Sequence, residues 1–384
     1  MDKKKIAVFM DWYLPGTKAG GPVRSVYSLV ALLKNHFNFY IISCNKDLGS
    51  NEVYKEMSSN KLFIEEGVNY YYFSDEKLNG NNILLLLREI NPDLIYLNSF
   101  WSFTFSINII RLKNKKLISA PILLAPRGML GKGALGLKSF KKTIYLLSAK
   151  LFSWYKHVFF HATNKNEERD IKIYFPSAKI TVANNLNSGT LIKNTVLKSH
   201  NKLDLFFLSR IAEVKNLHFA LEILKEIPAQ IQIKYDIYGN LEDKDYWTKC
   251  TKIISDLPVN IKVNYKNELA FNDVQKTLSN YHCLLLPTLN ENFGHSIVES
   301  LLCGCPVIIS DQTPWTDLEK NNAGYAIPLS KKQRFLAAII EMAKLNHEDF
   351  TVKSSAANNY INQKIEVEKN INLYKNLFNE SIKN

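Results

Sequence analysis

The sequence of 384 residues predicts an α/β fold in two domains, and three observations support this prediction. The chain is about two to three times as long as a usual single domain. Apolar runs of strand length alternate with amphipathic helical patterns along the chain, which is typical of βαβ units and largely parallel sheets. The composition, with 46% hydrophobic and 22% charged residues, is that of a globular protein. It argues against a disordered, collagen-like or disulfide-rich chain.

The alternation predicts the domain boundaries. A first series of strands and helices, beginning with a strand at Ile6 to Met10 and a helix at Val23 to Leu33, gives a domain over 1–187. A polar stretch without a sustained period predicts a linker over 188–201. The second series gives a domain over 202–363. We expect the final helical pattern, over 364–384, to cross back to the first domain.

Each series has the alternation of a Rossmann-like domain, with helices on the faces of a mostly parallel sheet. Open sheets of this kind bind ligands beyond the carboxyl ends of their strands. With two such domains, we expect the functional residues to line a cleft where the two sheets face each other.

The charge lies in the first half of the chain. Residues 1–200 hold 28 Lys and Arg against 14 Asp and Glu, whereas residues 201–384 hold 21 against 22. No acidic residue occurs between Asp93 and Glu167, but twelve basic residues do. This distribution predicts an anionic partner for the first domain.

Membrane spans and metal sites are not expected. No run approaches the roughly 18 to 20 apolar residues of a spanning helix. The basic start followed by an apolar run imitates a signal peptide, but Asp11 ends that run after five residues, so we interpret it as a first strand. The five cysteines have no zinc-ligand spacing, and we expect reduced thiols in a cytosolic protein.

One segment carries the strongest chemical signal. A buried strand up to Pro287 leads into a polar loop with Glu291, and Gly294 lets the chain turn into a helix. Amides of the first helical turn and the helix dipole favour a phosphate there, and a carboxylate on the helix can accept hydrogen bonds from vicinal hydroxyls. The alternative is a capped helix with two solvated carboxylates. The predicted substrate-binding residues are Asn292, Phe293, Gly294, His295 and Glu299.

Two glutamates eight positions apart, with Phe293-Gly294 between them and Gly304-Cys305-Pro306 after them, resemble a family signature. It is the E-x7-E motif of the family-4 retaining glycosyltransferases. The resemblance implies the GT-B fold, which has two Rossmann-like domains. It also implies that Glu291 contacts the donor sugar and that Glu299 contacts the nucleotide ribose.

A second motif follows the first strand of the second domain. Arg210 and Lys215 stand five residues apart on one loop, where two fixed cations can straddle a diphosphate without a metal. Taken alone, such a pair is more often solvated. The loop resembles the R-x4-K pattern of the same family, which implies that both residues stabilise the leaving nucleotide diphosphate. We therefore predict Arg210, Lys215 and Glu291 as catalytic residues, with no metal and no cofactor.

The first domain carries weaker motifs. Gly20 and Gly21 between the first strand and the first helix permit close approach of the backbone to a ligand, and Arg24 can reach outward. The dinucleotide fingerprint G-x-G-x-x-G is absent from this loop. Many family members have a His where this chain has Arg127, which we predict as substrate-binding. His161 is interpreted as a packed residue.

The region 133–156 interleaves lysines with aromatic and aliphatic residues, a pattern that suits a helix at the surface of an anionic membrane. The alternative is that half of its apolar residues belong to the core. Nucleic acid is the rival anionic partner, but the sequence has no helix-turn-helix, zinc-finger or RNP signature, so none is expected.

Together these features predict a retaining hexosyltransferase of bacterial surface polysaccharide biosynthesis, such as that of O-antigen or capsule. The expected partners are a nucleotide-diphosphate sugar and a lipid-linked saccharide. The expected location is cytoplasmic, peripheral on the inner face of the cytoplasmic membrane. The alternatives are a basic sugar-nucleotide or nucleic-acid binding protein without turnover, and a GT-B phosphorylase or epimerase.

Overall fold

The structure is a computed structural model that describes residues 2–55, 57–131 and 139–383. It divides into two compact units. Unit 1 comprises Met1–Ser188 together with Val367–Asn384, and unit 2 comprises Gly189–Glu366.

Unit 1 is built on an eight-stranded sheet in the order β3-β4-β2-β1-β5-β6-β7-β8. All neighbouring strands pair in parallel except β3, which is antiparallel to β4. The strands are β1 Lys5–Phe9, β2 Asn38–Cys44, β3 Phe63–Glu65, β4 Val68–Phe73, β5 Leu94–Leu97, β6 Ile122–Leu124, β7 Val158–Ala162 and β8 Ile180–Val182.

Helices cover both faces of this sheet because its central strands are apolar on both faces. In β1, Ala7 and Phe9 enter one core cluster, and Ile6 and Val8 enter the other. The helices are α1 Gly21–Leu33, α2 Gly80–Ile90, α3 Asn108–Asn114, α4 Ser139–Leu151 and α5 Lys165–Tyr174, with a π-helical turn at Phe103–Ile107 before α3.

Unit 2 has a six-stranded, fully parallel sheet in the order β11-β10-β9-β12-β13-β14. The strands are β9 Lys202–Leu208, β10 Gln232–Tyr238, β11 Ile261–Tyr265, β12 Cys283–Leu286, β13 Val307–Ser310 and β14 Gly324–Ile327. The helices are α6 Leu217–Leu224, α7 Lys244–Ser255, α8 Val274–Leu278, α9 His295–Leu302, α10 Lys332–Lys344 and α11 His347–Ile365. Because β9 pairs with β12, the loops that follow these two strands leave the same edge of the sheet side by side.

The stretch predicted as a linker, 188–201, differs from that prediction: its residues from 189 onward belong to unit 2. The Asn194 side chain donates to the carbonyl of Tyr281 at 2.9 Å. Lys198 Nζ donates to the carbonyls of Ala343 at 2.7 Å and Leu345 at 3.0 Å, at the end of α10. Polar side chains thus fasten this segment through directed hydrogen bonds, which no hydrophobic period reveals.

The end of the chain returns to unit 1 as helix α12, Val367–Lys383. Its residues Tyr374, Leu377 and Phe378 are buried in the same core cluster as α1. The ring centroid of Phe378 lies 5.3 Å from that of Phe37 and 5.5 Å from that of Tyr96.

We expect Phe378→Ala to destabilise the protein by about 3 to 5 kcal/mol, because it removes a fully buried ring and leaves a cavity. Leu373→Ala, on the same helix but 36% exposed, is the matched control and should have a much smaller effect. Urea unfolding followed by circular dichroism compares the two. Equal losses for both variants would contradict the packing of α12 described here.

Candidate functional site

The loop between β12 and α9 carries most of the predicted residues. Gly294, the last residue before α9, has a φ of 80°, and an added Cβ would lie 2.7 Å from Cδ1 of Ile297. Only glycine therefore fits this turn without strain. His295 begins the helix, and all eight residues of α9 are buried. Glu299 lies one turn into this helix, so its carboxylate is held inside unit 2.

Lys215 and Glu291 form an ion pair through Nζ and Oε1. Lys215 ends a short 3-10 turn at Glu213–Lys215 that follows β9, and Glu291 lies in the loop that follows β12. Their side chains are only 10% and 15% exposed. A cation and a carboxylate from different parts of the sequence therefore meet in a poorly solvated place, where each offsets the desolvation of the other.

Backbone hydrogen bonds align the same two loops. Leu289 donates its N–H to the carbonyl of Val214 at 2.8 Å, and the hydroxyl of Thr288 donates to that carbonyl at 3.1 Å. The position of Lys215 relative to Glu291 is thus set by the main chain on both sides, and not by the ion pair alone.

Arg210 follows β9 and pairs with Glu242 through Nη1 and Oε2. Both side chains are more than a third exposed, so the pair is screened by solvent. The strand ends approach closely at this point, since a Cβ on Gly239 would lie 1.8 Å from the carbonyl oxygen of Ser209. The structure gives no contact between Arg210 and the Lys215–Glu291 pair.

In unit 1, the predicted glycine loop leads directly into α1. Gly20 is the residue before the helix, Gly21 is its first residue, and Arg24 lies in its first turn. Asp47, which we did not predict as a functional residue, shapes this loop: its Oδ2 accepts from the N–H groups of Thr17 at 2.9 Å and Lys18 at 3.2 Å. The signal in the sequence was an aspartate soon after the second strand, a residue type that often accepts from nearby loop amides.

Arg127 lies in a left-handed conformation with a φ of 58° and is directed into a network of polar side chains. Its Nη2 donates to Oδ1 of Asn98 at 2.6 Å and to the hydroxyl of Tyr96 at 3.0 Å. Its Nη1 donates to the side chain of Asn185. These contacts give Arg127 a structural role in unit 1, and its role in substrate binding stays a prediction.

His161 belongs to the same network and is buried. Its Nδ1 lies 2.7 Å from the hydroxyl of Tyr96, and its Nε2 lies 2.8 Å from the carbonyl of Ala183. This arrangement suits a neutral ring that donates from Nε2 and accepts at Nδ1. Burial, and secondarily the nearby charge of Arg127, lowers the pKa of His161 to about 3.

Asp11, just beyond the end of β1, is a further candidate that sequence analysis missed. Its Oδ1 accepts from the hydroxyl of Ser102 at 2.6 Å, and burial raises the pKa of its carboxyl group. Because β1 pairs with β5, the residues that follow the two strands meet at one edge of the sheet. The signal was an acidic residue directly after an apolar strand.

The region 133–156 is described from residue 139 onward, and residues 132–138 lie outside the described part. Helix α4 packs one side against the core through Leu146 and Ala149. On another side it exposes Ile144, Leu147 and Leu151, which are three and four positions apart, and Phe152 follows them. We call these four residues the α4 stripe. Exposed lysines flank it at positions 141, 150 and 156.

The described residues hold neither a membrane-spanning helix nor a cluster of metal ligands. None of the helices in the described ranges is both long and apolar enough to cross a membrane. Within the same ranges, no three His, Cys, Asp or Glu side chains come together in a group that would hold a metal ion.

Comparison with known proteins shows what unit 2 is similar to. Residues 190–363 match the model of Glycosyl transferases group 1. Among curated proteins, the O-antigen chain mannosyltransferase RfbU of Salmonella typhimurium is 28% identical over 117 residues, which cover 30% of this chain and 31% of RfbU. The match thus spans about a third of that relative.

Solved structures match over nearly the whole chain. Anabaena HepE in complex with UDP and glucose has a TM-score of 0.71 at 14% identity, covering 99% of this chain and 100% of HepE. WaaG, a glycosyltransferase involved in lipopolysaccharide biosynthesis, has a TM-score of 0.65 at 11% identity, with 97% and 99% covered. The lipopolysaccharide outer core galactosyltransferase WaaB has a TM-score of 0.59 at 15% identity, with 98% and 99% covered.

The two mostly parallel sheets and these structural matches confirm the predicted α/β class and GT-B fold. Residues 190–363, nearly all of unit 2, match the group 1 glycosyltransferases, the family that the motifs of this part of the chain predicted.

The pKa of His161 predicts a specific loss of stability in acid. In the native state its pKa of about 3 lies below the 6.5 of an unperturbed histidine. Below about pH 6.5 the His161 ring is therefore protonated in the unfolded chain but stays neutral in the folded protein. The free energy of unfolding falls as the pH drops through this range. Between pH 7 and pH 4.5, we expect the free energy of unfolding of His161→Gln to fall by about 2 kcal/mol less than that of the parent.

Urea unfolding at several pH values measures this slope. The exposed His157→Gln, on the chain just before β7, is the control and should keep the slope of the parent. An unchanged slope in His161→Gln would show that the ring is protonated in the folded protein, contrary to the contacts described here.

Proposed function

We propose that this protein is a retaining glycosyltransferase that moves a hexosyl unit from a nucleotide-diphosphate sugar to a lipid-linked saccharide. The product would be a bacterial surface polysaccharide such as O-antigen or capsule. The observation that carries the proposal is the Lys215–Glu291 ion pair beside the start of α9. It places one cation and one carboxylate of the two family motifs together, in a family whose members transfer sugars.

In this proposal the sheltered ammonium of Lys215 neutralises the departing diphosphate, assisted by Arg210. The amides of His295 and of its neighbours in the first turn of α9 supply further hydrogen bonds to phosphate oxygens. Before the donor binds, Glu291 balances the charge of Lys215. Once a diphosphate is bound, Lys215 has a second anionic partner, and Glu291 is available to accept hydrogen bonds from hydroxyls of the donor sugar.

Glu299 is assigned to the ribose, and the loop residues Asn292 and Phe293 line the donor in this scheme. A carboxylate held by a buried helix is well placed to bind vicinal hydroxyls, because its side chain is already ordered and loses little conformational entropy on binding. Unit 1 is assigned to the acceptor, with Gly20, Gly21 and Arg24 at the carboxyl edge of its sheet.

Retention is assigned to a reaction on one face of the sugar. The bond between the anomeric carbon and the phosphate oxygen breaks, and a bond to the acceptor oxygen forms on the same face. The leaving phosphate accepts the proton of the acceptor hydroxyl, so this route needs no glycosyl-enzyme intermediate. It needs positioned cations and amides that stabilise the charge on the leaving group.

The relatives support the choice of pathway. RfbU is an O-antigen chain mannosyltransferase, and WaaG is involved in lipopolysaccharide biosynthesis. The bound UDP and glucose of HepE support a nucleotide-sugar donor. We infer that this protein acts at the cytoplasmic face of the membrane, where a lipid-linked acceptor would present its saccharide.

The nucleotide test uses thermal unfolding with UDP, GDP, dTDP, ADP and CMP. A ligand at about a hundred times its Kd stabilises the native state by about 2.7 kcal/mol, which raises Tm by a few degrees. We expect one nucleotide to do this and expect Glu299→Ala and Arg210→Ala to erase the shift. Lys332→Ala is the matched control, since Lys332 forms a similarly exposed ion pair with Glu226.

The outcomes separate the alternatives. If no nucleotide stabilises the parent at millimolar concentration, the donor assignment fails. If a nucleotide binds but no lipid-linked acceptor gives a product, the protein is a sugar-nucleotide binder without turnover. Loss of product in Glu291→Ala, with nucleotide binding retained, would support the enzyme.

The α4 stripe supports docking on an anionic membrane. Apolar side chains at helical spacing can enter the interfacial region while the flanking lysines meet anionic headgroups. Leu147 and Leu151 are 63% and 77% exposed, so their burial in lipid would be a net gain.

We expect the double variant Leu147→Asp, Leu151→Asp to bind vesicles containing phosphatidylglycerol at least about tenfold more weakly than the parent, because two buried leucines are lost. Co-sedimentation at low and high salt measures binding. Ile173→Asp, at another exposed apolar residue of unit 1 on α5, is the control and should bind like the parent. Equal losses in both variants, or equal binding of the parent to neutral vesicles, would contradict the assignment.

A further inference from the structure

Trp315 contacts the loop that leads into α9 through a hydrogen bond and a ring contact. It lies in the segment after β13, and its indole N–H donates to the carbonyl of Phe293 at 2.5 Å. The rings of the two residues also meet, with centroids 5.8 Å apart and an interplanar angle of 66°. Trp315 is buried, so this hydrogen bond is shielded from water.

The carbonyl of Phe293 lies directly before the turn into α9. The peptide that joins Phe293 to Gly294 is the last before the left-handed residue that turns the chain into α9. Fixing the carbonyl of Phe293 fixes the plane of that peptide, including the N–H group of Gly294. The orientation of Trp315 therefore sets the direction in which the N–H group of Gly294 points, just before α9.

A second bond from the same segment holds the loop upstream. Glu291 donates its N–H to the carbonyl of Gln312 at 2.9 Å. The segment after β13 thus holds the loop after β12 at two points, one beside Glu291 and one beside Gly294. Between these points lie Asn292 and Phe293.

Trp315 is itself braced by the last turns of α11. Its ring centroid lies 6.4 Å from that of Tyr360, whose hydroxyl donates to Oδ1 of Asp317 at 2.6 Å. Lys364 Nζ donates to the other oxygen of Asp317 at 2.7 Å. The main-chain N–H of Trp315 donates to the hydroxyl of Thr313 at 3.1 Å. The indole thus stands on a rigid support, as a positioning residue requires.

We propose that Trp315 is a positioning residue that aims the turn at Phe293-Gly294 toward the phosphate nearest the sugar of the donor. The inference rests on the proposed function, which assigns Glu291 to the sugar and the start of α9 to the phosphates. In this scheme Trp315 contacts neither the sugar nor the phosphates of the donor, and it acts through the carbonyl of Phe293. Its removal should weaken recognition of the distal phosphate more than recognition of the nucleoside and its first phosphate.

The test compares the affinities for UDP and UMP, and for GDP and GMP, by titration calorimetry of the full chain. Trp315→Phe keeps an aromatic ring but loses the indole N–H. We expect it to bind the diphosphate about tenfold more weakly than the parent, which corresponds to the loss of roughly one hydrogen bond to a charged group. Its affinity for the monophosphate should stay within about twofold of the parent. Trp247→Phe is the control, because Trp247 packs on Tyr265 outside this loop, and it should keep the parent's ratio.

Two outcomes overturn the inference in different ways. If the parent prefers the diphosphate and Trp315→Phe keeps the same ratio, Trp315 is a packing residue and the proposed function stands. If the parent binds none of the four nucleotides, the proposed function fails and this inference fails with it.

A Trp315→Phe variant that does not fold is replaced by Tyr360→Phe, which removes the hydroxyl bond to Asp317 and leaves both rings. It should lower the ratio of diphosphate to monophosphate affinity by about twofold to threefold, since the indole loses only part of its support. An unchanged ratio in a folded Tyr360→Phe variant would then overturn the inference.

Discussion

The arrangement of the candidate site depends on one constraint, the pairing of Lys215 with Glu291 where little water reaches. A lone charge in such a place would be costly, so the two loops have to supply opposite charges together. The sheet makes this possible because β9 and β12 are parallel neighbours and release their loops side by side. The carbonyl of Val214 then fixes the distance between the loops through hydrogen bonds to the Thr288-Leu289 segment.

The same rule, that buried polar groups require partners, organises the interior of unit 1. Tyr96, Arg127 and His161 lie on or just after neighbouring strands and bond to one another or to shared partners. The neutral His161 accepts a hydrogen bond from the Tyr96 hydroxyl and donates one to the carbonyl of Ala183. The network therefore holds a histidine without placing a second positive charge beside Arg127. A cation at the carboxyl edge of a sheet resembles a ligand-binding residue in the sequence. In the structure, the guanidinium group of Arg127 donates its hydrogen bonds to side chains of unit 1.

The two domains, the parallel sheets and the motifs of unit 2 were within reach of the sequence, because buried strands and amphipathic helices leave periodic apolar patterns. Helix α11 is not evident from the sequence, since several of its inward positions are polar, such as Lys353 and Ser354, which dilute the apolar period. The sequence of 189–201 predicts a linker because hydrogen bonds from Asn194 and Lys198, and not apolar packing, hold this segment to unit 2.

The sequence by itself determined the α/β class, the family motifs around Glu291 and Arg210, and the basic character of the first half, because each is a local pattern of residue types. Only the tertiary structure decided the partners: Lys215 meets Glu291, Arg127 turns inward, Asp47 holds the glycine loop, and Trp315 grips Phe293. These contacts join residues that are far apart in the chain, and their geometry follows from strand order and backbone direction. A local pattern contains neither of these, so the residues that orient the site emerge only once the sheets are assembled.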